Sequence, residues 1–175
     1  AIAGLVRDNR SADAVEMIVT LSEFLRGAAV DSNRPQVSLE QEVQYLRQYL
    51  QIQKARFPER LQVSVEIPPE LLAAQVPALV LQPLVENAIK HGIAKRAQGG
   101  TIRVNATSTN GTLRLSVDND GPSLGADWET RGTGIGISNL RTRLALMYGG
   151  AFELHLRNRS IGGVQALISL PLVES

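Results

Sequence analysis

The apolar residues of this 175-residue chain change their period once, near residue 61. Before that point they recur at helical spacing. Val15, Ile18, Val19, Ser22 and Leu25 fall near one face of a helix over residues 11–29, and Val43, Leu46, Leu50 and Phe57 form the stripe of a second. Asp31-Ser32-Asn33-Arg34-Pro35 separates the two, because proline and short polar residues favour turns. Ser38 is a good N-cap for the second helix, with Gln41 three residues on as in a capping box. Glu40 and Glu42 suit the positive end of that helix's dipole. The pattern predicts a helical hairpin over residues 1–58. After residue 61 the period is two: Leu61, Val63, Val65 and Ile67; Ile102, Val104 and Ala106; Leu113, Leu115 and Val117; Phe152, Leu154 and Leu156; Val164, Ala166, Ile168 and Leu170. Asn110-Gly111 is a hairpin-turn signal between two of these runs. Two helical patterns interrupt them, one around residues 81–92 and one over residues 137–148 that stops at Gly149-Gly150. About five strands with two helices covering one face make a two-layer α/β sandwich over residues 59–175.

Composition narrows the function classes. With 43% hydrophobic and 20% charged residues the chain is an ordinary globular protein, and it is long enough to bury a core. A formal net charge of +1 gives no ground for nucleic-acid binding. The absence of cysteine excludes disulfides, thiolate metal sites and a cysteine nucleophile. No apolar run is long enough to span a bilayer. The chain starts at Ala1 in what reads as mid-helix, so the expectation is a piece of a longer protein.

Three segments carry chemistry. In Gln82-Pro83-Leu84-Val85-Glu86-Asn87-Ala88-Ile89-Lys90-His91-Gly92, residues Leu81, Leu84, Val85, Ala88 and Gly92 share a face that can pack on a sheet. Asn87, Lys90 and His91 lie at i, i+3 and i+4 along another side. An amide, a cation and an imidazole so grouped can hold a metal-bound polyphosphate, although an amphipathic helix with a solvated edge has the same pattern. Pro83 inside the pattern predicts a bend, since it cannot bond the carbonyl of Leu79. The second segment is Gly132-Thr133-Gly134-Ile135-Gly136-Ile137-Ser138-Asn139-Leu140-Arg141, where alternate glycines let the backbone approach a phosphate. Its spacing is neither the Rossmann nor the P-loop fingerprint. Between them, Val117-Asp118-Asn119-Asp120-Gly121-Pro122 runs from a strand end into a polar turn.

An asparagine-bearing helix, an acidic turn and a GxGxG loop, in that order, resemble the ATP-binding domain of the GHKL superfamily. Within it, PLVENAIKHG followed by GTGIGISNLRTRL is similar to sensor histidine kinases of the LytS type. LSEFLRGAAV and VSLEQEVQYLRQYLQIQKARFPERL match the part of those kinases that follows the phosphoacceptor histidine, so residues 1–58 would be a remnant of the dimerisation region. The resemblance implies a mixed sheet with nucleotide held on its helical side. It makes Asn87 the magnesium ligand and Lys90 a phosphate contact. Glu86 either polarises the acceptor histidine of a partner helix or pairs with Lys90 at i+4. His91 either contacts phosphate or caps the helix end. Gly132, Thr133, Gly134 and Gly136 would frame the phosphates. The superfamily's adenine turn is D-x-G-x-G. Aligning its glycine on Gly121 puts Asn119 where the aspartate stands, with Asp118 as the other candidate, and Pro122-Ser123 replaces the usual x-G. Arg141 and Arg143 are open between solvated surface and phosphate contact, and Trp128 between a short lid and a packing residue. His155 alternates away from an apolar strand face and reads as a surface histidine.

The implied function is the catalytic, ATP- and Mg²⁺-binding part of a two-component histidine kinase. It would pass the γ-phosphoryl group to a histidine absent from this chain and then to an aspartate of a response regulator. The implied setting is a homodimeric parent at the inner face of the membrane, attached only through an upstream region. Alternatives are a nucleotide-binding regulatory module without phosphotransfer and another GHKL ATPase.

Overall fold

The computed structural model describes residues 2–7, 11, 14–15, 18, 35–94, 96–125 and 134–173. Helix α1 is Ile2–Arg7. The predicted break at residues 31–34 and most of the predicted helix over residues 11–29 lie outside the described residues.

Strand β1 (Gln36–Ser38) leads directly into helix α2 (Leu39–Arg56). The capping box is present, with Gln41 N donating to Ser38 Oγ and Ser38 N to Gln41 Oε1, both at 3.3 Å. Two more amides at the helix start are met by backbone carbonyls, Leu39 N to Ala74 O at 2.8 Å and Glu40 N to Leu72 O at 2.9 Å. Strand β3 (Gln75–Pro77) pairs antiparallel with β1, Val37 opposite Val76. These two strands were not expected from the sequence.

The main sheet holds β2 (Leu61–Glu66), β4 (Gly100–Thr109), β5 (Thr112–Asn119), β6 (Glu153–Asn158) and β7 (Val164–Pro171) in the order β2-β4-β5-β7-β6. The β2–β4 pair is parallel and the other pairs are antiparallel, giving the mixed sheet that was expected. A parallel pair needs a long crossover, and here it carries β3 and helix α3 (Gln82–Ala88). The β4–β5 hairpin turns at Asn110 and Gly111, whose φ values of 50° and 72° are those of the predicted tight turn.

One face of the sheet is apolar. Ile102, Val104, Leu113, Leu115, Val117, Leu154, Ala166 and Ile168 are buried there in one cluster. Helix α2 contributes Leu39, Val43, Leu46 and Leu50 to that same cluster, α3 contributes Leu84, Val85 and Ala88, and helix α4 (Gly134–Tyr148) contributes Ile137, Leu140 and Leu144. The result is the two-layer α/β sandwich. Among the described residues no helix is long and apolar enough to cross a membrane.

Pro83 does not bend a helix. It stands in the first turn of α3, where its missing N–H has no intrahelical partner to lose. The carbonyl of Leu79, which a longer helix would have left for residue 83, instead accepts from Arg143 Nη2 at 3.2 Å.

Candidate functional site

Helix α3 passes at its C-terminal end into a π turn, Ile89–Ile93, closed by the i→i+5 bond from Ala94 N to Ile89 O at 2.8 Å. Such widened turns occur mostly as single-turn insertions in helices. Leu84, Val85, Ala88, Ile89, Gly92 and Ile93 are buried toward the sheet. Glu86, Lys90 and His91 are exposed and Asn87 is half-buried, so all four candidate polar groups lie off the packed face. Glu86 accepts from Gln82 Nε2 at 2.6 Å, one turn earlier. Burial raises the hydroxyl pKa of Tyr49 on α2, and the nearby Glu86 carboxylate adds to the rise.

The end of β5 meets this helix end. Residues Leu113, Leu115 and Val117 face the helical layer, and strand parity puts Asn119 on that side, 5% exposed. A Cβ on Gly92 would stand 2.8 Å from Asn119 Oδ1, so the asparagine amide lies directly on the helix backbone. Gly121 N donates to the same Oδ1 at 2.9 Å and folds the turn back. Asp118 has the opposite parity, lying across from Arg103 on β4 and Gln165 on β7. Of the two candidates for the adenine contact, only Asn119 adjoins α3.

Further groups fix this turn, and the sequence singled out none of their contacts. Arg96 Nη1 donates to the Asp120 carbonyl at 2.5 Å and lies 3.5 Å from its carboxylate, which also accepts from Thr101 N at 2.9 Å. The tip of the β6–β7 hairpin abuts the turn from the other side. Gly163 has φ 85°, and a Cβ there would fall 1.9 Å from the carbonyl oxygen of Asn119. No side chain fits. Arg159 of the same tip donates to that carbonyl at 3.4 Å.

Helix α4 begins at Gly134. A Cβ on Gly136 would lie 3.8 Å from Cβ of Pro83, so the start of α4 stands beside the start of α3. Gly132, Thr133 and Trp128 lie outside the described residues. Arg141 and Arg143 both donate to backbone carbonyls, Arg141 to Leu154 O at 2.8 Å and Arg143 to Leu79 O. His155 is exposed beside Glu153 at 3.9 Å, on the strand edge away from these groups.

The structure thus brings together Asn119, Gly121 and Gly92 by close contact, and Gly136 with the first turn of α3. Asn87, Lys90 and His91 precede Gly92 along α3 and its π turn, while Asp118 lies on the opposite face of β5. Beside this backbone contact, the helix end carries an amide, an amine and an imidazole off its packed face.

Comparison with known proteins gives this arrangement its family. Residues 74–174 match the family described as "Histidine kinase-, DNA gyrase B-, and HSP90-like ATPase", and residues 1–61 match one described as "Histidine kinase". The sensor protein LytS of Oceanobacillus iheyensis is 31% identical over 167 residues, covering 89% of this chain and 28% of that protein. The sensor histidine kinase YesM of Bacillus subtilis is 31% identical over 173 residues, covering 98% of this chain and 30% of that protein. The chain therefore spans under a third of the length of these relatives. In fold it is similar to the histidine kinase domain of a blue-light activated histidine kinase of Erythrobacter litoralis, with a TM-score of 0.62 at 21% identity over 98% of this chain and 86% of that one. A family match over more than half its length makes this chain a member of the histidine kinase-, DNA gyrase B- and HSP90-like ATPase family.

Proposed function

We propose that this chain is the ATP-binding catalytic part of a LytS-type sensor histidine kinase. The observation that carries this reading is the close approach of Gly121 to Gly92, with the Asn119 amide beneath them and Asn87, Lys90 and His91 continuing along the same helix. Bare backbone at one end and polar side chains at the other would suit a flat base joined to a charged tail. Adenine would lie against the glycines and donate from its amino group toward the Asn119 carbonyl oxygen. The phosphates would run toward Lys90, His91 and the start of α4, whose amides favour anions.

Among the described residues no three His, Cys, Asp or Glu groups gather into a metal site of their own. Asn87 offers one amide oxygen, which fits magnesium when phosphate oxygens and water complete its shell. The ion would neutralise charge on the transferring group. Glu86, exposed on the same helix, would take the imidazole proton as the P–N bond forms and the bond to the β-phosphate oxygen breaks, releasing ADP. The acceptor histidine, the response regulator, the homodimer and the membrane-attached parent belong to this proposal. Residues 1–58 would be the dimerisation remnant and residues 59–175 the catalytic domain.

Calorimetric titration of Mg-ADP into the chain tests the reading. One-site binding that weakens at least tenfold in Asn87→Ala, and that loses its dependence on magnesium there, is expected. A folded wild-type chain that binds no nucleotide sinks it. Steady ATP turnover by the chain alone would favour a different ATPase of the family, and binding without phosphotransfer to any acceptor histidine supplied in trans would favour a regulatory module.

A further inference from the structure

Glu42 is a carboxylate inside the core. It lies in the first turns of α2 at 2% exposure, among Leu39, Val43 and Leu46. Its oxygens accept two backbone bonds from the turn that precedes α3, Leu79 N at 2.5 Å and Leu81 N at 3.0 Å, and the amide of Val80 also bears on it. Consecutive amides converging on one anion form a nest, which needs a left-handed residue. Leu79 supplies it, with φ 56° in a bulky side chain that rarely adopts that conformation. Backbone strain of this kind persists only where surrounding contacts over-determine it. The turn is held from its other side by Arg143 of α4, which donates to Leu79 O, and the opposite charges of Arg143 and Glu42 act on each other.

Three elements therefore meet at one turn: α2, which lies within the segment matched to the histidine kinase family; α3, which carries Asn87 and runs into the turn bearing Lys90 and His91; and α4, which begins within the glycine segment. We propose that Glu42 and Arg143 are positioning residues for nucleotide binding. By clamping the strained 79–81 turn, they fix the starts of α3 and α4 against each other and tie both to α2. This rests on the nucleotide reading of α3 and α4 given above. Neither side chain touches the nucleotide. They act through the backbone between Leu79 and Gln82.

The ionised carboxylate is the form that suits the nest, since a protonated oxygen would present an O–H to an amide N–H. Burial pushes the Glu42 carboxyl up to about 7, against the pull of the Leu81, Leu79 and Val80 amides and of Arg143. Burial also lowers the pKa of the Arg143 guanidinium, and Glu42 offsets this. Arg143 is the charged side chain that bears on Glu42 from α4. The turn before α3 contributes amides only.

The test is Mg-ADP affinity at pH 8 and pH 6 for the wild-type chain, Glu42→Gln and Arg143→Gln, with thermal unfolding of each. Glu42→Gln is expected to weaken binding about tenfold at pH 8 and to bind alike at both pH values once effects shared with wild type are divided out. Those shared effects include titration of the nucleotide itself. Wild type is expected to bind more weakly at pH 6 than at pH 8. Arg143→Gln should weaken binding in the same direction, and the double variant should be no worse than Glu42→Gln alone, because both residues act on one turn. Variants that unfold at altered temperature yet bind Mg-ADP as wild type does at both pH values would overturn the inference. If Glu42→Gln does not fold, Arg143→Gln decides alone, and unchanged affinity in it would likewise overturn the inference. A wild-type chain that fails to bind is the control outcome that removes the nucleotide reading itself.

Discussion

Gly92 and Gly121 are in backbone contact: a Cβ on Gly121 would stand 2.3 Å from the Cα of Gly92. Neither atom can yield as a flexible side chain would. Gly121→Ala must push the turn off the helix end, at a cost of about 1–3 kcal/mol in stability. Mg-ADP affinity should fall by more than about tenfold, because the displaced turn carries Asn119, the proposed adenine contact. Calorimetry and thermal unfolding on the same sample check both parts, and unchanged affinity would refute the placement of the base.

Asn119 tests what replaces the family's aspartate. Its Oδ1 already accepts from Gly121 N, and a carboxylate oxygen can do the same. Charge assistance strengthens such a bond, while the 5% exposure of the site makes a charge costly to bury. These effects oppose each other, so Asn119→Asp should bind Mg-ADP within about threefold of wild type. Asn119→Ala removes the acceptor and should bind about tenfold more weakly or worse. Equal binding by all three would mean that adenine lies elsewhere.

The carboxyl of Glu42 gives the fold a pH signature. Its pKa is raised from 4.5 to about 7 in the folded chain, so the folded state holds that proton more tightly than the unfolded state. The resulting stabilisation is fully present below pH 4.5 and is lost as pH rises through about 7. Wild-type stability minus that of Glu42→Gln should therefore fall across this window, by on the order of 3 kcal/mol. Urea unfolding at several pH values measures it, and a flat difference would show that the ionised and neutral forms are equally well housed. The form that holds the turn best is thus the one least favoured by the core.

Ser38→Ala removes the hydroxyl that caps α2 and should cost about 1 kcal/mol. Mg-ADP affinity should not change, because the Ser38 hydroxyl bonds within the start of α2 and not to Asn87, Asn119 or Gly121. A large loss of affinity would mean that the start of α2 matters to the site in its own right.

The main sheet was legible because alternation is a local property: Leu113, Leu115 and Val117 announce their face without reference to any partner. The same counting extends to residue 119 and puts Asn119 and Asp118 on opposite faces of the strand. The hairpin at Asn110-Gly111 and the Ser38–Gln41 cap are likewise short-range. The β1 and β3 strands were not legible, since each is three residues long and exists through its pairing with the other, about 40 residues away. Pro83 was misread because a proline bends a helix or begins one according to where the helix starts, and that start is fixed here by the turn that Glu42 holds. Glu42 itself left a trace. It lies three residues after Leu39 and four before Leu46, inside an apolar stripe where a carboxylate is out of place. The contacts of Gly92 with Gly121 and of Gly163 with Asn119 join segments far apart in the chain, and no local pattern encodes them.

The π turn at Ile89–Ile93 sets the angular position of the groups that follow Asn87. A helix wound more widely advances less per residue, so Lys90 and His91 come around the axis later than an α-helix would bring them. Removing one residue here would restore α winding and turn Lys90 and His91 to a different side of the axis, with every remaining side chain unchanged. Chain length between Asn87 and Gly92 therefore sets where these side chains point, alongside the residues themselves.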